Sequence, residues 1–511
     1  MQLLELAETS RAVGEVRART AKVERLAQCL VRLAPGEVET AVAWLAGALP
    51  QGRIGAGSAA LRAAVAAPAP GSASLSLLEV DRELGRIAGM RGAGSAAERA
   101  RALGALFARA SAVERDFLAP LLLGELRQGA LEGLMLDAIA RAARVSAAEV
   151  RRAAMLCGSA APVAAAALEA GAAGLARFRI EVQRPLQPML AQTAEGLGDA
   201  LSRWPRCALE WKLDGARIQL HRLGDEVRIF TRSGLDVSAA VPELVLLARR
   251  LPVESAILDG EAIALGADAR PRPFQIAMRR FGRRLDVERL REEIPLAPFY
   301  FDCLHLDGVD WIDRPAHERI GRLAAAVPAE QRVPRIETSS LAEGEAFLAG
   351  ALGRGHEGVM AKALDAPYEA GRRGAAWIKV KPEHTLDLVV LAAEWGSGRR
   401  RGWLSNLHLG ARDPAGGFVM LGKTFKGLSD AMLEWQTRRL LELEVAREGA
   451  VVRVRRELVV EIAFDGVQAS PTYAGGLALR FARVRRHRPD KRAEDADPID
   501  AVRAAFDASP K

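Results

Sequence analysis

The first third of the chain repeats apolar residues at the spacing of an amphipathic helix. Side chains at i, i+3, i+4 and i+7 share one helix face, so this pattern predicts helices with one buried side. Breaks rich in Gly, Ala and Ser separate these segments, and residues 67–74 are predicted to form a loop. We therefore expect residues 1 to about 180 to be all-α. The repeats include Leu26, Cys29, Leu30 and Leu33, and Leu103, Leu106, Phe107 and Ala110.

Three serine and glutamate pairs in this region predict where individual helices begin. A serine before a helix accepts a hydrogen bond from one of the first backbone amides, and a glutamate three residues later binds the serine amide. The pairs are Ser95 with Glu98, Ser111 with Glu114, and Ser146 with Glu149.

From about residue 205 the apolar period changes to two, which predicts β-strands. Residues 217–223 and 227–232 flank a Gly-Asp-Glu turn and predict a hairpin. We expect the middle third to be mixed α and β, with a mainly antiparallel sheet core. Further strands are predicted at 256–265, 298–306, 358–363 and 377–381, and helices at 241–250 and 315–326.

The pattern changes again after residue 384, where short apolar strands alternate with turns rich in Gly, Arg or Asp. A small β-barrel with one helix fits this region, as in an OB-fold. The predicted strands are 386–395, 404–411, 417–421 and 451–464, and the helix is 429–444. The expected fold is multidomain α+β, with an all-α domain over 1–184, an α+β domain over 185–384 and an OB-fold β-barrel over 385–511.

The composition narrows the class of protein. Of the 511 residues, 50% are apolar and 27% are charged, which is typical of a globular chain. The sequence shows neither an apolar run that could span a bilayer nor a signal peptide, so we expect a cytoplasmic protein without a membrane partner. Its four cysteines are far apart and none forms a Cys-x-x-Cys pair, which argues against a zinc ribbon and a disulfide framework. The net charge of +8 is compatible with a polyanionic partner.

The stretch 208–214 alternates apolar and charged residues before it breaks at Gly215. A strand with a solvated face explains this pattern, and so does a strand whose charged face lines a polar site. The apolar positions are Leu209, Trp211 and Leu213, and the charged positions are Glu210, Lys212 and Asp214.

Four more segments of the middle third carry charge in the same manner. One such strand usually has only a solvated face, whereas five suggest a shared anionic ligand. The four segments contain Arg232, Asp259 with Glu261, Glu357 with Lys362, and Lys379 with Lys381.

The stretch Lys212-Leu-Asp-Gly-Ala-Arg217 resembles the Lys-x-Asp-Gly-x-Arg motif of covalent nucleotidyltransferases. The order of the later segments resembles that of ATP-dependent DNA ligases of the bacterial and archaeal type, over nearly the whole chain. Six elements in order are far more specific than one tetrapeptide. The later segments are 231–234, 258–262, 300–302, 357–362 and 377–381.

The two ends of the chain extend this resemblance. Residues 124–140 resemble the helical DNA-binding domain of these ligases, and residues 479–491 resemble the C-terminal motif that contacts the β and γ phosphates of ATP. Without the resemblance, the arginines after residue 479 would indicate a solvated cationic face. Ala482 stands where the family usually has proline. The matching positions of this motif are Arg480, Arg486, Arg488, Asp490 and Lys491.

The resemblance implies a role for each residue of the expected site. Lys212 would attack the α-phosphate of ATP to form lysyl-AMP, with Arg217 beside it. Because a free lysine amine is protonated at neutral pH, nearby cations are expected to favour the neutral form. The other implied ATP contacts are Phe301 under the adenine, Glu210 at its amine, Arg232 near the ribose, Arg373, Lys379 and Lys381 near the α-phosphate, and Arg486 and Lys491 near the other phosphates.

Glu261 and Glu357 are the candidates to hold Mg²⁺, which prefers oxygen ligands. The implied partners are ATP, Mg²⁺ and nicked duplex DNA, with the enzyme expected to act as a monomer. An RNA ligase or a GTP-using capping enzyme is the alternative within the same superfamily. A nucleic-acid-binding protein without catalysis is the alternative outside it.

Overall fold

A computed structural model gives the fold of the chain. It describes residues 1–511 except 17, 53, 56, 67–74, 93, 127–131, 195, 267, 282–285, 370–372, 382 and 508–511, and the side chains of residues 373 and 374. The predicted loop 67–74 and part of the 124–140 segment lie outside the described residues.

The N-terminal region is helical, as predicted, and its core joins residues from Leu3 to Leu175. The apolar repeats at Leu26 and Leu103 lie on buried helix faces. The helices are α1 (Leu3–Glu15), α2 (Arg19–Val31), α3 (Val38–Leu45), α4 (Ser58–Ala66), α5 (Leu77–Gly89), α6 (Ser95–Arg109), α7 (Ala112–Leu123), α8 (Glu132–Ala143), α9 (Ala147–Cys157) and α10 (Ala160–Leu175).

Two of the three predicted helix starts are confirmed. The Ser111 and Ser146 pairs form capping boxes at the starts of α7 and α9. The prediction at Ser95 was wrong, because Gly94 occupies the N-cap of α6 with a φ of 81°. Ser95 is the first helical residue, and its hydroxyl instead accepts a hydrogen bond from Arg99 Nη1 at 3.2 Å.

The central region contains two five-stranded sheets, mainly antiparallel as predicted. The first has the order β1-β10-β9-β2-β8, and the second has the order β4-β3-β5-β6-β7. Their strands are β1 (Leu190–Thr193), β2 (Cys207–Lys212), β3 (Ala216–Leu223), β4 (Glu226–Thr231), β5 (Ser255–Ala264), β6 (Leu296–Leu306), β7 (Val309–Asp310), β8 (Arg335–Thr338), β9 (Gly358–Ala363) and β10 (Arg373–Val380). The helices between them are α11 (Leu197–Leu201), α12 (Pro242–Arg249), α13 (Phe274–Phe281), α14 (Val287–Glu293), α15 (Ala316–Ala326) and α16 (Leu341–Gly353).

Strand β2 is an interior strand, paired with β8 on one side and β9 on the other. Leu209 is fully buried, and Glu210 on the opposite face is also buried. The charged face of β2 therefore looks into the protein, which rules out the solvated-edge interpretation of this strand.

The C-terminal region is a sheet module whose single long strand β11 pairs with three other strands. Among the described strands the ladders do not close into a complete barrel, and the OB-fold is itself a partly open barrel. The predicted strand 451–464 is two strands. The elements are β11 (His384–Trp395), β12 (Leu404–Arg412), β13 (Phe418–Thr424), α17 (Asp430–Glu442), β14 (Glu444–Glu448), β15 (Val451–Val454), β16 (Val459–Phe464), β17 (Gly466–Ala469), β18 (Leu477–Arg480), β19 (Arg483–His487) and α18 (Ile499–Asp507).

The structure also bears on the cysteines and on membrane-spanning segments. All four cysteines are free thiols. No helix in the described part of the chain is long and apolar enough to cross a membrane.

A buried ion pair ties α15 to the second central sheet. Arg319 donates to both carboxylate oxygens of Asp302 on β6, at 2.8 and 3.1 Å, and also to the Ala366 carbonyl at 3.0 Å. Burial raises the pKa of Asp302, but the Arg319 charge outweighs it and the net pKa is lowered. A buried charge that loses its partner is costly, so this pair must stay intact for the sheet to hold.

We expect Arg319→Met to destabilise the second central sheet by about 3 to 5 kcal/mol, because Asp302 is left buried and unpaired. Hydrogen exchange of the β5 and β6 amides measures this loss. Adding Asp302→Asn should recover part of the stability, whereas Arg279→Met, at an exposed position of α13, should change little. Equal protection in Arg319→Met and the parent protein would contradict this expectation.

Candidate active site

The end of β2 brings Lys212 against Glu357, which immediately precedes β9. Glu357 Oε2 pairs with the Lys212 ammonium and, at 2.6 Å, with the Lys381 ammonium. Burial raises the pKa of Glu357, but these two cations outweigh burial and lower it. Glu357 is therefore an ionised carboxylate that gathers two of the predicted site lysines around one oxygen.

Asp214 lies beyond Lys212, close to the same charges. Burial raises its pKa, and the Glu357 carboxylate adds to this effect. Lys212, Lys381 and Arg480 oppose the rise. The C-terminal region therefore contributes a cation, Arg480, to the electrostatics of this pocket.

Glu261 on β5 lies within the electrostatic reach of Lys212. Burial raises the pKa of Glu261 to about 7, although Lys212 and Arg217 act to lower it. The Glu357 charge raises it further. Glu261 is thus a carboxylate whose charge is only partly compensated, which is the property expected of a group that meets a cation.

The two glutamates suit Mg²⁺ in the chemistry of their oxygens. Among the described residues no group of three or more His, Cys, Asp or Glu is arranged to hold a metal ion. Mg²⁺ commonly uses one or two carboxylates together with waters and substrate phosphates. Glu261 and Glu357 fit that shared mode better than a closed metal site.

Glu210 is enclosed by two cations. Arg335 Nε lies 2.7 Å from its Oε1, and Lys362 Nζ lies 2.7 Å from its Oε2. Arg335 and Lys362 also donate to the Phe301 carbonyl on the other sheet, at 3.2 and 3.3 Å. The carboxylate is thereby fixed next to the residue that is predicted to carry the adenine.

Phe301 belongs to a row of aromatic rings. Its ring meets Trp377 edge-on at 5.8 Å, and Trp377 meets Tyr368 edge-on at 5.7 Å. The Lys362 ammonium lies 4.6 Å from the Phe301 ring centre and 4.2 Å from that of Trp377, in reach of cation–π attraction. Phe301 remains partly exposed, whereas Trp377 is buried.

Arg217 on β3 does not point freely into the pocket. It grips Asp259 with Nε at 3.0 Å and Nη2 at 2.6 Å, and donates from Nη1 to the Met189 carbonyl at 2.7 Å. Burial works against the charged form, but Asp259 outweighs it and raises the pKa of Arg217. Arg217 is a permanently charged group held in one position.

Three other predicted residues lie on β10 or just after β4. Arg232 is exposed in the turn after β4. Arg373 begins β10, and its side chain lies outside the described residues. Lys379 is half-buried on β10, opposite Met360 of β9.

The predicted phosphate contacts of the C-terminal motif are paired within their own region. Arg486 donates to Glu461 at 2.7 Å, and Lys491 donates to Asp387 at 2.6 Å. The structure therefore does not bring these two cations to Lys212. Their role at ATP stays a prediction that requires these ion pairs to be exchanged.

Four residues that contact the predicted site residues had no role predicted from the sequence: Asp259, Arg335, Lys362 and Tyr368. Asp259 and Lys362 lay inside quoted motifs, so their charge was a visible signal. Arg335 and Tyr368 stand outside every motif, and only the fold shows that they reach the pocket.

Family models match most of the chain. The ATP dependent DNA ligase domain matches residues 188–381, the ATP dependent DNA ligase C terminal region matches 400–491, and the DNA ligase N terminus matches 59–140.

Curated relatives are similar from end to end. A probable DNA ligase of Anaeromyxobacter dehalogenans (strain 2CP-1 / ATCC BAA-258) is 65% identical, over 99% of this chain and 100% of the relative. A probable DNA ligase of Sorangium cellulosum (strain So ce56) is 56% identical, over 99% of this chain and 95% of the relative.

Among solved structures, Pmar-Lig_PreS3 has a TM-score of 0.61 and 16% identity, over 94% of this chain and 99% of that chain, a likeness of fold alone. The relatives share the full length and the matched models share the order of the regions. The chain therefore belongs to the ATP-dependent DNA ligases, and DNA ligation with ATP is its activity.

Proposed function

We propose that Lys212 is the nucleophile that attacks the α-phosphate of ATP, releasing pyrophosphate and forming lysyl-AMP. AMP then passes to the 5′-phosphate at a nick in duplex DNA, and the 3′-hydroxyl displaces AMP to seal the strand. One observation carries this proposal: the Lys212 ammonium, the Lys381 ammonium and the Glu357 carboxylate converge at the end of β2.

Lys212 needs a lone pair before it can attack, and an ammonium has none. In the resting enzyme Lys212 donates to the ionised Glu357 carboxylate, and this ion pair must be broken before the attack. Lys381 also pairs with Glu357, so it can neutralise that carboxylate after Lys212 has become lysyl-AMP. The remaining steps are phosphoryl transfers, which depend on positioning and on charge neutralisation.

Glu261 and Glu357 are proposed to hold Mg²⁺, which when bound supplies positive charge to phosphate oxygens. The support is the donor chemistry of the pair and the incomplete compensation of Glu261. Each glutamate keeps its carboxylate beside Lys212, where the reacting phosphate must lie.

The proposed contacts to the adenine are made by residues that lie together in the central region. Phe301 carries the adenine on its partly exposed ring, and Glu210 accepts from the adenine amine while Arg335 and Lys362 hold it still. The Arg217 guanidinium lies against the rings of Phe301 and Trp377. The proposed outer contacts are Arg232 at the ribose, Arg373, Lys379 and Lys381 at the α-phosphate, and Arg486 and Lys491 at the other phosphates.

The proposed substrate is nicked duplex DNA, bound by a monomer in the cytoplasm. The proposed domains are 1–184 for DNA binding, 185–384 for adenylation and 385–511 for the OB-fold module. The core clusters support this division, since residues from Leu3 to Leu175 share one core and residues from Leu386 to Val502 share another.

We expect Lys212→Ala to abolish the covalent adenylate, because alanine has no amine with which to form the phosphoramidate. Incubation with α-labelled ATP and denaturing electrophoresis measures the labelled protein. Binding of Lys212→Ala to nicked duplex DNA serves as the folding control. A Lys212→Ala protein that still forms the adenylate would refute the assignment of the nucleophile.

We expect Glu261→Gln to raise the Mg²⁺ concentration needed for half-maximal adenylation by at least about tenfold, because an amide is a poor substitute for an ionised ligand. A magnesium titration of the adenylation rate measures the change. Glu254→Gln removes the same charge at an exposed position just before β5 and should leave the titration unchanged. Matching curves for the two variants would remove Glu261 from the metal site.

The substrate proposal predicts sealing of a DNA nick with ATP and Mg²⁺, and much weaker joining of a nick in a DNA/RNA hybrid or of single-stranded RNA. Gel analysis of a labelled 5′-phosphate strand measures all three, and adenylation of the same protein sample is the control. Normal adenylation without DNA sealing would contradict the choice of substrate.

A further inference from the structure

The hydroxyl of Tyr368 uses its full hydrogen-bonding capacity inside the central region. It donates to Asp259 Oδ2 at 2.7 Å, and it accepts from the Met189 amide at 3.0 Å and from Arg217 Nη2 at 3.3 Å. A phenol has one donor and two acceptor sites, so none is left over. Tyr368 is 2% exposed, which makes these bonds costly to lose.

These bonds close a cage around the Arg217 guanidinium. Asp259 takes two of its donors, the Met189 carbonyl takes a third, and Tyr368 links Asp259 to the Met189 amide. Without the hydroxyl, Asp259 and Met189 would no longer be joined on that side. One oxygen atom of a residue outside every predicted motif thus contacts Arg217 and both groups that hold it, Asp259 and Met189.

The ring of Tyr368 supports the aromatic row as well. It stands edge-on to Trp377, with an interplanar angle of 83°, and Trp377 stands edge-on to Phe301 at 82°. Arg217 lies 5.5 Å from the Phe301 ring centre and 5.6 Å from that of Trp377. The same residue thus holds both Arg217 and the platform next to it.

The surroundings of Tyr368 leave it little freedom to move. Met155 and Leu156 at the end of α9 belong to the same apolar cluster as Tyr368 and Met189. The Gln187 amide donates to the Met155 carbonyl at 3.0 Å, which fixes the chain that leads to Met189. The end of α9 therefore packs in the same apolar cluster as Tyr368 and helps to hold the segment that contains Met189.

We propose that Tyr368 is a positioning residue for nucleotide binding, acting through Arg217 and the Phe301–Trp377 pair. This inference rests on the proposed function, in which Phe301 carries the adenine. Tyr368 acts on the binding of ATP and leaves the attack by Lys212 intact, since the Lys212–Glu357–Lys381 contacts do not include it.

The test is Tyr368→Phe, which keeps the ring and removes the hydroxyl. We expect KM for ATP in single-turnover adenylation to rise about tenfold, because one hydrogen-bond network around a charged group is broken. The rate at saturating ATP should stay within about twofold, because the reacting groups are unchanged. The labelled-ATP adenylation assay measures both.

Tyr300→Phe is the matched control. Its hydroxyl is also buried, next to Phe301, but it finds no hydrogen-bond partner among the described residues. Its removal should leave KM unchanged. Thermal unfolding of both variants sets an assay temperature well below the lower midpoint.

A double-mutant cycle separates positioning from general stability. In an Arg217→Met background, Tyr368→Phe should have little further effect on KM, because the group it positions is gone. A lowered unfolding midpoint with unchanged KM would overturn the inference, and so would additive effects in the cycle. If either of these results is found while Lys212→Ala cannot be adenylated, the inference about Tyr368 is wrong but the proposed function stands. An adenylated Lys212→Ala protein would instead refute the proposed role of Lys212 as the nucleophile.

Discussion

The central region depends on one constraint, that a carboxylate taken out of water must meet a cation. Glu210, Asp259 and Asp302 are all buried, and each is bound by arginine or lysine. The cations come from other strands or from α15, so each pair fixes two elements at once. Pairs of this kind add less to stability than apolar packing does, but breaking one is strongly destabilising. They therefore fix neighbouring strands within each sheet, and α15 against the second sheet, around the pocket.

Glu261 departs from this rule, and it lies at the proposed reacting centre. Its neighbours Lys212 and Arg217 do not overcome the burial effect, so its pKa lies near 7. Arg217 is already committed to Asp259, and Lys212 to Glu357. A pocket that neutralises its structural carboxylates and leaves one partly uncompensated is prepared for a positive ligand.

The architecture could be predicted from the sequence because it depends on local patterns, and the sequence also predicted which of its residues lie together at the end of β2. The period of apolar residues predicted the helices and most strands, and the resemblance of the ordered motifs to those of ATP-dependent DNA ligases indicated Lys212, Glu261 and Glu357. The start of α6 was missed because Gly94 competes with Ser95 for the cap, and both fit a helix start. Arg335 and Tyr368 were missed for another reason: a residue that acts through long-range packing has no signature in its own neighbourhood. The pairing of Arg486 and Lys491 with carboxylates of their own region is likewise a property of the folded chain.

The sharing of one Glu357 oxygen by two ammonium groups has a consequence for the proton balance of the cycle. Under the proposed role of Lys212, its nitrogen changes from an ammonium with three N–H bonds to an uncharged phosphoramidate with one. Two protons therefore leave the nitrogen, of which pyrophosphate can take one and the solvent takes the other. Lys381 remains paired with Glu357, so two ammonium groups on one carboxylate become one, and Glu357 keeps a cation as its partner. The heat of adenylation must then include the ionisation of whatever buffer accepts that proton. Formation of lysyl-AMP would thus be measurable as a release of acid into the solution.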